Sequence, residues 1–351
     1  MSDLKMNTPG ILSDKMIKQC MKDEEIVIYP FEDINLTPAG YNLSASDFIL
    51  SINTQLLVNI HYSNTEKYCY IDANDTVLIM TREAIKVSNT IAGSFHSRVS
   101  VVSKGFGHIS TTLDPSWQGP LLISLNNPTK KKLKLTLGSI IEKKEKTTLQ
   151  NLKIYKPNEK KIEHKGNKVF VHRAFVTLVL KRLSEEPTQE HNNPSGRFDI
   201  LKSLVDLPLK RRFWLPWKKR KNHFLKLKQM IDEIGSLSFV KNPNKESNNE
   251  VFVQNYEAFS KTLEFYTKLA REASVKIVDQ RRAWSYAKVI LRVLLLGGII
   301  GFILSKAYKG MVTGQPATVT YYTLTVTIIA VLVVPYMVKP IVQLFEKGEK
   351  K

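Results

Sequence analysis

Between residue 31 and about residue 145, apolar residues fall in short runs or alternate with polar ones, and turn residues interrupt them every few positions. That pattern predicts strands over 41–43, 47–52, 55–60, 69–71, 76–80, 83–87, 91–97, 109–111, 121–125 and 133–137. Many short strands at close intervals suit a sandwich or barrel better than a parallel sheet. Ahead of them, Met16, Ile17, Cys20 and Met21 recur at helical spacing behind Ser13, a good N-cap residue, and 25–30 is a short strand stopped by Pro30. Beyond a Lys-rich connector over 151–168, a helix is expected over 169–183, and 185–196 reads as a linker by composition. From residue 250 a stripe of Phe252, Tyr256, Phe259, Leu263 and Tyr266 steps by three or four, which predicts a helical stalk used for helix packing or self-association.

The C-terminal pattern is different in kind. Residues 319–338 carry no charge, a length that spans hydrocarbon at about 1.5 Å per residue. Residues 293–304 are also uncharged, and extension back to Val289 makes a second span in which Arg292 snorkels towards head groups. With the polar, glycine-bearing loop 305–317 between them, these two segments are expected to form a transmembrane hairpin; a pair of buried core helices is the alternative. Lys276, Arg281, Arg282, Lys288 and Arg292 precede the first span and Lys339, Lys347, Lys350 and Lys351 follow the second, against Lys306 and Lys309 in the loop. The positive-inside rule then expects a multi-pass membrane protein with its N-terminal domain and its C-terminus in the cytoplasm.

Charge narrows the partners. Lys and Arg number 52 against 32 Asp and Glu, a net charge of +20 that points to phosphate, nucleic acid or an anionic membrane face. The densest cluster is 210–221, where Arg211 and Lys218 stand with Trp214 and Trp217 in a basic, aromatic segment. It reads as a membrane-interface anchor on anionic lipid, ahead of a plain solvated basic face and of nucleic acid, which is the least favoured. Two cysteines, Cys20 and Cys69, exclude a disulfide framework and a cysteine metal site, and they suit a reducing compartment. The β region has no Gly-rich phosphate loop of the Rossmann or Walker type.

One stretch organises the rest: residues 105–127, in which Asp114-Pro115-Ser116 makes a turn and Trp117 follows it. Alone it is a hairpin of a β-barrel. Together with Leu12–Pro30, Ala39-Gly40-Tyr41-Asn42, Gly93-Ser94-Phe95-His96-Ser97-Arg98, and Gly138-Ser139-Ile140-Ile141, it resembles the dCTP deaminase branch of the dUTPase-like superfamily. The four motif segments stand in that family's order, after an N-terminal helix and strand like those of the deaminases, and they cover roughly the first 40% of the chain.

The resemblance implies a distorted β-barrel that forms homotrimers, with deoxynucleoside triphosphate sites at the subunit interfaces and Mg²⁺ riding on the triphosphate. It implies Ser97 and Arg98 as phosphate contacts through charge-assisted hydrogen bonds. Trp117 would pack on the deoxyribose, with Asn42 and Gly119 in their motifs, and Asp114 would bind the 3′-hydroxyl or orient a water as general base. His108, Ser110 and Thr111 would line the base pocket. For His96 and His108 the alternative is an ordinary barrel histidine, for Ser97 a strand hydroxyl, and for Trp117 a core ring.

The sequence also departs from the family. The deaminases' water-activating glutamate falls at Ser124, their helix-proximal arginine falls near Val101, the first motif's aspartate is Asn42, and no closing segment is recognisable after Leu149. The expected organisation is therefore a mainly β domain over 1–150, a basic helical linker region over 151–249, a helical stalk over 250–288, the transmembrane hairpin over 289–338 and a basic tail over 339–351. The expected function is a membrane-anchored dCTP- or dUTP-binding protein that deaminates dCTP or hydrolyses dUTP. The alternative is a catalytically inactive nucleotide sensor coupled to the membrane hairpin.

Overall fold

The computed structural model describes residues 8–108, 111–142, 168–188, 195–206, 217–237, 248–314, 317, 319–322 and 324–325. Two units divide the chain, Met1–Val275 and Lys276–Lys351.

In the first unit, β1 (Gly10–Ile11) leads into α1 (Asp14–Lys22), where the Ser13 hydroxyl accepts from the Met16 N–H at 3.4 Å and the inner face buries Ile17 and Cys20. The cap and the spacing are as read from the sequence. Next come β2 (Ile26–Tyr29), β3 (Leu36–Thr37), β4 (Gly40–Ser51), β5 (Ile60–Tyr62), β6 (Glu66–Ile71), β7 (Asp75–Val87) and β8 (Ile91–Ser97). One turn of helix, α2 (Val99–Val102), precedes β9 (Gly107–His108), β10 (Thr112–Leu113), β11 (Gln118–Asn127) and β12 (Leu133–Glu142). The last two strands are β13 (Lys168–His172) and β14 (Ala174–Arg182).

The main sheet runs β10-β8-β14-β4-β7-β11-β9, with β1 on β14, β2 on β7 and β3 on β4; a second sheet runs β13-β12-β6-β5. β14 is the unexpected member. The helix expected over 169–183 is instead two strands, because burial there follows period 2: Val176, Leu178, Leu180 and Arg182 are buried while Thr177, Val179 and Lys181 are less so. β-branched residues at Val171, Val176, Thr177 and Val179 favour the pleat. The sheet thus takes in residues well past 150.

Alternation on the central strands builds two cores. Val77, Ile79 and Ile85 of β7 point into the core between the sheets, with Leu43, Ile49, Phe95, Ile123 and Leu178. Their neighbours Leu78, Met80 and Ala84 point the other way, with Phe48 and Leu50 of β4, into a second core. That face is roofed by helices: α3 (Phe198–Asp206), α4 (Trp217–Gly235) and α5 (Asn249–Val312). The aromatic stripe of α5 is spent here. Phe252 and Phe259 are 0% and 1% exposed against the sheet, burial that stabilises by about 1.5–3 kcal/mol for each ring. Polar ties register the layer: Tyr29 Oη donates to Glu257 Oε1 at 2.7 Å, the Tyr256 hydroxyl donates to the Arg82 carbonyl, and Arg271 donates to the Asp47 carbonyl. Over this length the expected stalk is a strap on the β domain.

In the second unit α5 exposes Leu291, Leu294, Leu295, Ile299 and Phe302. Among the described residues no helix is long and apolar enough to cross a membrane. This overturns the two transmembrane helices, and with them the multi-pass localisation. The uncharged stretch of α5 is only 293–305, closed by Arg292 and Lys306, which at 1.5 Å per residue is about 20 Å against a hydrocarbon core of about 30 Å. Residues 323 and 326–338 of the second expected span lie outside the described residues, as do the tail over 339–351 and all of the 151–168 connector but Lys168, which opens β13. Arg211 and Trp214 are likewise outside them; Trp217 and Lys218 open α4, with side chains outside the described set.

Candidate functional site

Three of the expected nucleotide-site residues converge on β14. Ser97 ends β8 opposite Val176, and Arg98 Nη1 donates to the Ala174 carbonyl at 3.3 Å. On the other edge of β14, Thr177 pairs with Asn42 of β4, and its hydroxyl donates to Asn42 Oδ1 at 2.7 Å. Asn42 is therefore nearly buried and oriented by a strand some 135 residues away in sequence. The approach of β14 to β4 is close at Gly40, where a Cβ would lie 2.3 Å from the Leu178 carbonyl oxygen, so only glycine lets the two backbones meet there. Arg98 is half-buried. Burial first, and then the neighbouring Arg173 guanidinium, lower its proton affinity.

The third motif sits elsewhere. β10 pairs with β8 at Leu113 opposite Gly93, and the turn that follows is tied back by the Ser116 N–H to the Ser88 carbonyl and the Val87 N–H to the Trp117 carbonyl. Gly93 is four residues from Ser97 along β8, which separates the Asp114 turn from the Ser97–Arg98 end by roughly 13 Å within one chain. Asp114 is half-buried, and the Thr112 hydroxyl donates to its Oδ1 at 3.4 Å. Gly119 is buried with φ of 122°, a conformation side chains rarely adopt.

Trp117 is a core ring. It is 6% exposed, packed among Leu113, Leu121 and Val87, and its indole N–H donates to the Gly119 carbonyl at 3.0 Å. The deoxyribose platform assigned to it is not carried by this geometry. Thr111 is exposed, and its carbonyl accepts from the Phe95 N–H. The His108 backbone pairs with Leu125, while its side chain and all of Ser110 lie outside the described residues. Ser124 pairs with Leu78 and shares the face of Leu122, which packs on the helical layer. Ser124, the position at which the resemblance expects a glutamate, therefore points away from the inner core.

Three residues of this region were not found from sequence. Arg173 and Thr177 lie in the segment read as helix. Glu83 was read only as the first residue of a strand over 83–87, after a break at 81–82; instead β7 runs through, with register shifts against β4 between Ala45 and Ile49 and against β11 between Pro120 and Leu122. Such irregularities recur next to functional sites. Glu83 is fully buried, its Oε2 accepts from the Ser44 N–H at 2.8 Å, and Oε1 has no partner among the described residues. Burial pushes its carboxyl up to about 7, against the pull of Arg82 and of the Ser44 N–H. Ser44 pairs in turn with Ala174, so Glu83, Ser44, Ala174 and Arg98 form a continuous path across β7, β4 and β14 to the end of β8. Among the described residues no group of three or more His, Cys, Asp and Glu side chains is placed to hold a metal ion.

Comparison with known proteins places these residues in a family. The model of dCTP deaminase-like domains matches residues 11–143. A dCTP deaminase of Pyrococcus abyssi is 30% identical over 112 residues, which are 31% of this chain and 68% of the relative. A protein of Sulfolobus islandicus rod-shaped virus 1, named as a probable deoxyuridine 5′-triphosphate nucleotidohydrolase, is 30% identical over 115 residues, 33% of this chain and 70% of that one. The crystal structure of a 2′-deoxycytidine 5′-triphosphate deaminase from Agrobacterium tumefaciens aligns over 50% of this chain and 49% of that chain, at 10% identity and a TM-score of 0.31, too low to carry an argument. The matched segment stops short of β13 and β14, which here complete the sheets. Through residues 11–143, this chain belongs to the dCTP deaminase-like family.

Proposed function

We propose that the chain binds a deoxynucleoside triphosphate, dCTP or dUTP, at sites completed between copies of a homotrimer, and that it does so without deaminating the base. The observation that carries this reading is the gathering of Asn42, Ser97 and Arg98 around β14 in a chain of this family. Ser97 and Arg98 supply a hydroxyl and a guanidinium for phosphate oxygens. The gap of roughly 13 Å between them and Asp114 is one that a second copy can close, which supports an interfacial site over one held within a single chain. Asp114, Thr111 and His108 would meet the sugar and base from their own hairpin. Mg²⁺ would arrive on the triphosphate, held mainly by phosphate oxygens, with hard side-chain oxygens such as those of Asp114 and Asn42 as its protein partners.

Ser124 supports binding over deamination, because a serine hydroxyl without an adjacent base cannot take a proton from water at neutral pH. Pyrophosphate hydrolysis keeps a base in Asp114 and is the second reading. The helical layer gives a binding-only protein a means of response: Tyr256 and Arg271 tie α5 to β7 and β4, the strands that carry Glu83 and Asn42.

The test uses the full chain. It is incubated with each deoxynucleoside triphosphate and Mg²⁺ while binding and product are followed together. Micromolar binding of dCTP or dUTP with no deaminated or hydrolysed product is expected. Turnover abolished by Asp114→Ala would replace this reading with the hydrolase, and absence of binding to any of the nucleotides would remove both.

A further inference from the structure

Arg173 stands at the corner where the chain leaves β13 in one sheet and enters β14 in the other, outside the segment that the family model matches. Its backbone N–H donates to the Leu137 carbonyl at 2.9 Å, and its Nε donates to the Ser139 hydroxyl at 2.9 Å, so both the main chain and the guanidinium plane are set by β12. Among the described residues the two Nη groups make no hydrogen bond, and the side chain is exposed. Ala174, the next residue, is the one whose carbonyl holds Arg98. Two guanidinium groups therefore face one corner of the fold, and no carboxylate among the described residues forms an ion pair with either.

Like charges brought together without a counter-charge are costly, and a protein meets that cost where an anion completes the set. Arg98 feels its neighbour: burial first, and then the Arg173 charge, lower its proton affinity. The neighbouring His172 is held neutral by burial and then by the charges of Arg82 and Lys67, so it supplies no counter-charge to the two guanidinium groups. Planar forks with free Nη groups match phosphate oxygens two at a time.

We propose that Arg173 is a second phosphate-binding residue, which with Arg98 clamps the phosphate chain of the bound nucleotide, and that Ser139 orients it. This rests on the nucleotide reading for the identity of the ligand, but the clamp itself recognises a polyphosphate whatever is attached to it. The sequence offered no hint, because the segment carrying Arg173 follows a long connector and looks helical by composition.

The experiment measures binding of dCTP, dUTP and inorganic tripolyphosphate, each with Mg²⁺, to the full chain and to its Arg173→Gln and Arg173→Lys variants. Loss of one charge-assisted contact is expected to weaken all three probes about ten- to hundredfold in Arg173→Gln. Arg173→Lys should recover part of that loss, with thermal melting unchanged in both. In parallel, phenylglyoxal modification of Arg173 in the unaltered protein, mapped by mass spectrometry, should be slowed by tripolyphosphate; this arm does not depend on a variant folding. If Arg173→Gln binds every probe as the parent does, or if tripolyphosphate leaves the modification rate unchanged, the clamp is wrong. Nucleotide binding that ignores Arg173 would leave the functional reading standing and remove the clamp. Protection by tripolyphosphate without tighter binding of any nucleotide would keep the clamp and remove the nucleotide.

Discussion

At the scale of single residues, Glu83 has the most direct consequence for stability. A carboxyl with an ordinary value of 4.5 is pushed to about 7 by full burial, so between these values the folded chain holds a proton that the unfolded chain has released. Its contribution is then complete below pH 4.5 and is lost as pH rises through about 7. The linkage is on the order of 3 kcal/mol. Thermal melts of the parent at pH 5 and pH 8 should show a fall that Glu83→Gln lacks, since the amide keeps an acceptor for the Ser44 N–H and never ionises. An equal pH dependence in the two proteins would show that the carboxyl is already solvated in the folded state. Other residues at this scale were legible beforehand: the Ser13 cap is as expected, and Ser97, Arg98 and Asn42, singled out by their motifs, meet around β14. Trp117 divides the two kinds of evidence, because its motif position suggested a sugar contact and only packing showed that its ring is core and its N–H already used.

Elements were legible wherever one face alone decided them. β8 runs over the residues its alternation predicted, β7 and β11 contain the predicted runs and β4 takes in 41–43 and most of 47–52, though the break expected at 81–82 proved a register irregularity inside a continuous β7. β14 was misread because its hydrogen-bond partners are on strands far away in sequence, and a run such as Ala174–Arg182 has enough apolar residues to satisfy either period. Gly40 tests its placement. In Gly40→Ala the new Cβ would fall 2.3 Å from the Leu178 carbonyl oxygen, a backbone atom that cannot swing aside. Overpacking of this kind costs about 1–3 kcal/mol. Chemical denaturation should record that loss together with weaker triphosphate binding, since β14 carries both Thr177 and the carbonyl that holds Arg98. A variant as stable as the parent would mean that β14 does not approach β4 as described.

For the whole molecule, the boundary of the β domain is the decisive matter. Truncation after residue 150 would strip β14 from between β8 and β4 and expose Phe48, Leu50, Leu78 and Met80, which the helical layer now covers. Such a fragment should show no cooperative thermal transition and should bind a hydrophobic dye, whereas the full chain melts cooperatively; calorimetry and dye fluorescence distinguish the two. A well-folded fragment would show that the helices and β14 are dispensable. The same scale corrects the membrane reading, for apolar residues in α5 are divided between a stripe that packs on the sheet and an uncharged stretch too short to span.

By itself the sequence determined the strand-rich N-terminal domain, its helix cap and its likeness to the dCTP deaminase-like family. These are local facts: periodicity, turn chemistry and residue identity need no distant partner to be read. The tertiary structure alone decided that β14 completes the sheet, that the aromatic stripe of α5 is a second core, that Arg173 stands beside Arg98 and that Glu83 is buried against Ser44. Each of these depends on groups brought together from positions far apart in the chain, 135 residues apart for Thr177 and Asn42 and 174 for Tyr256 and Arg82, and no local pattern records such a meeting.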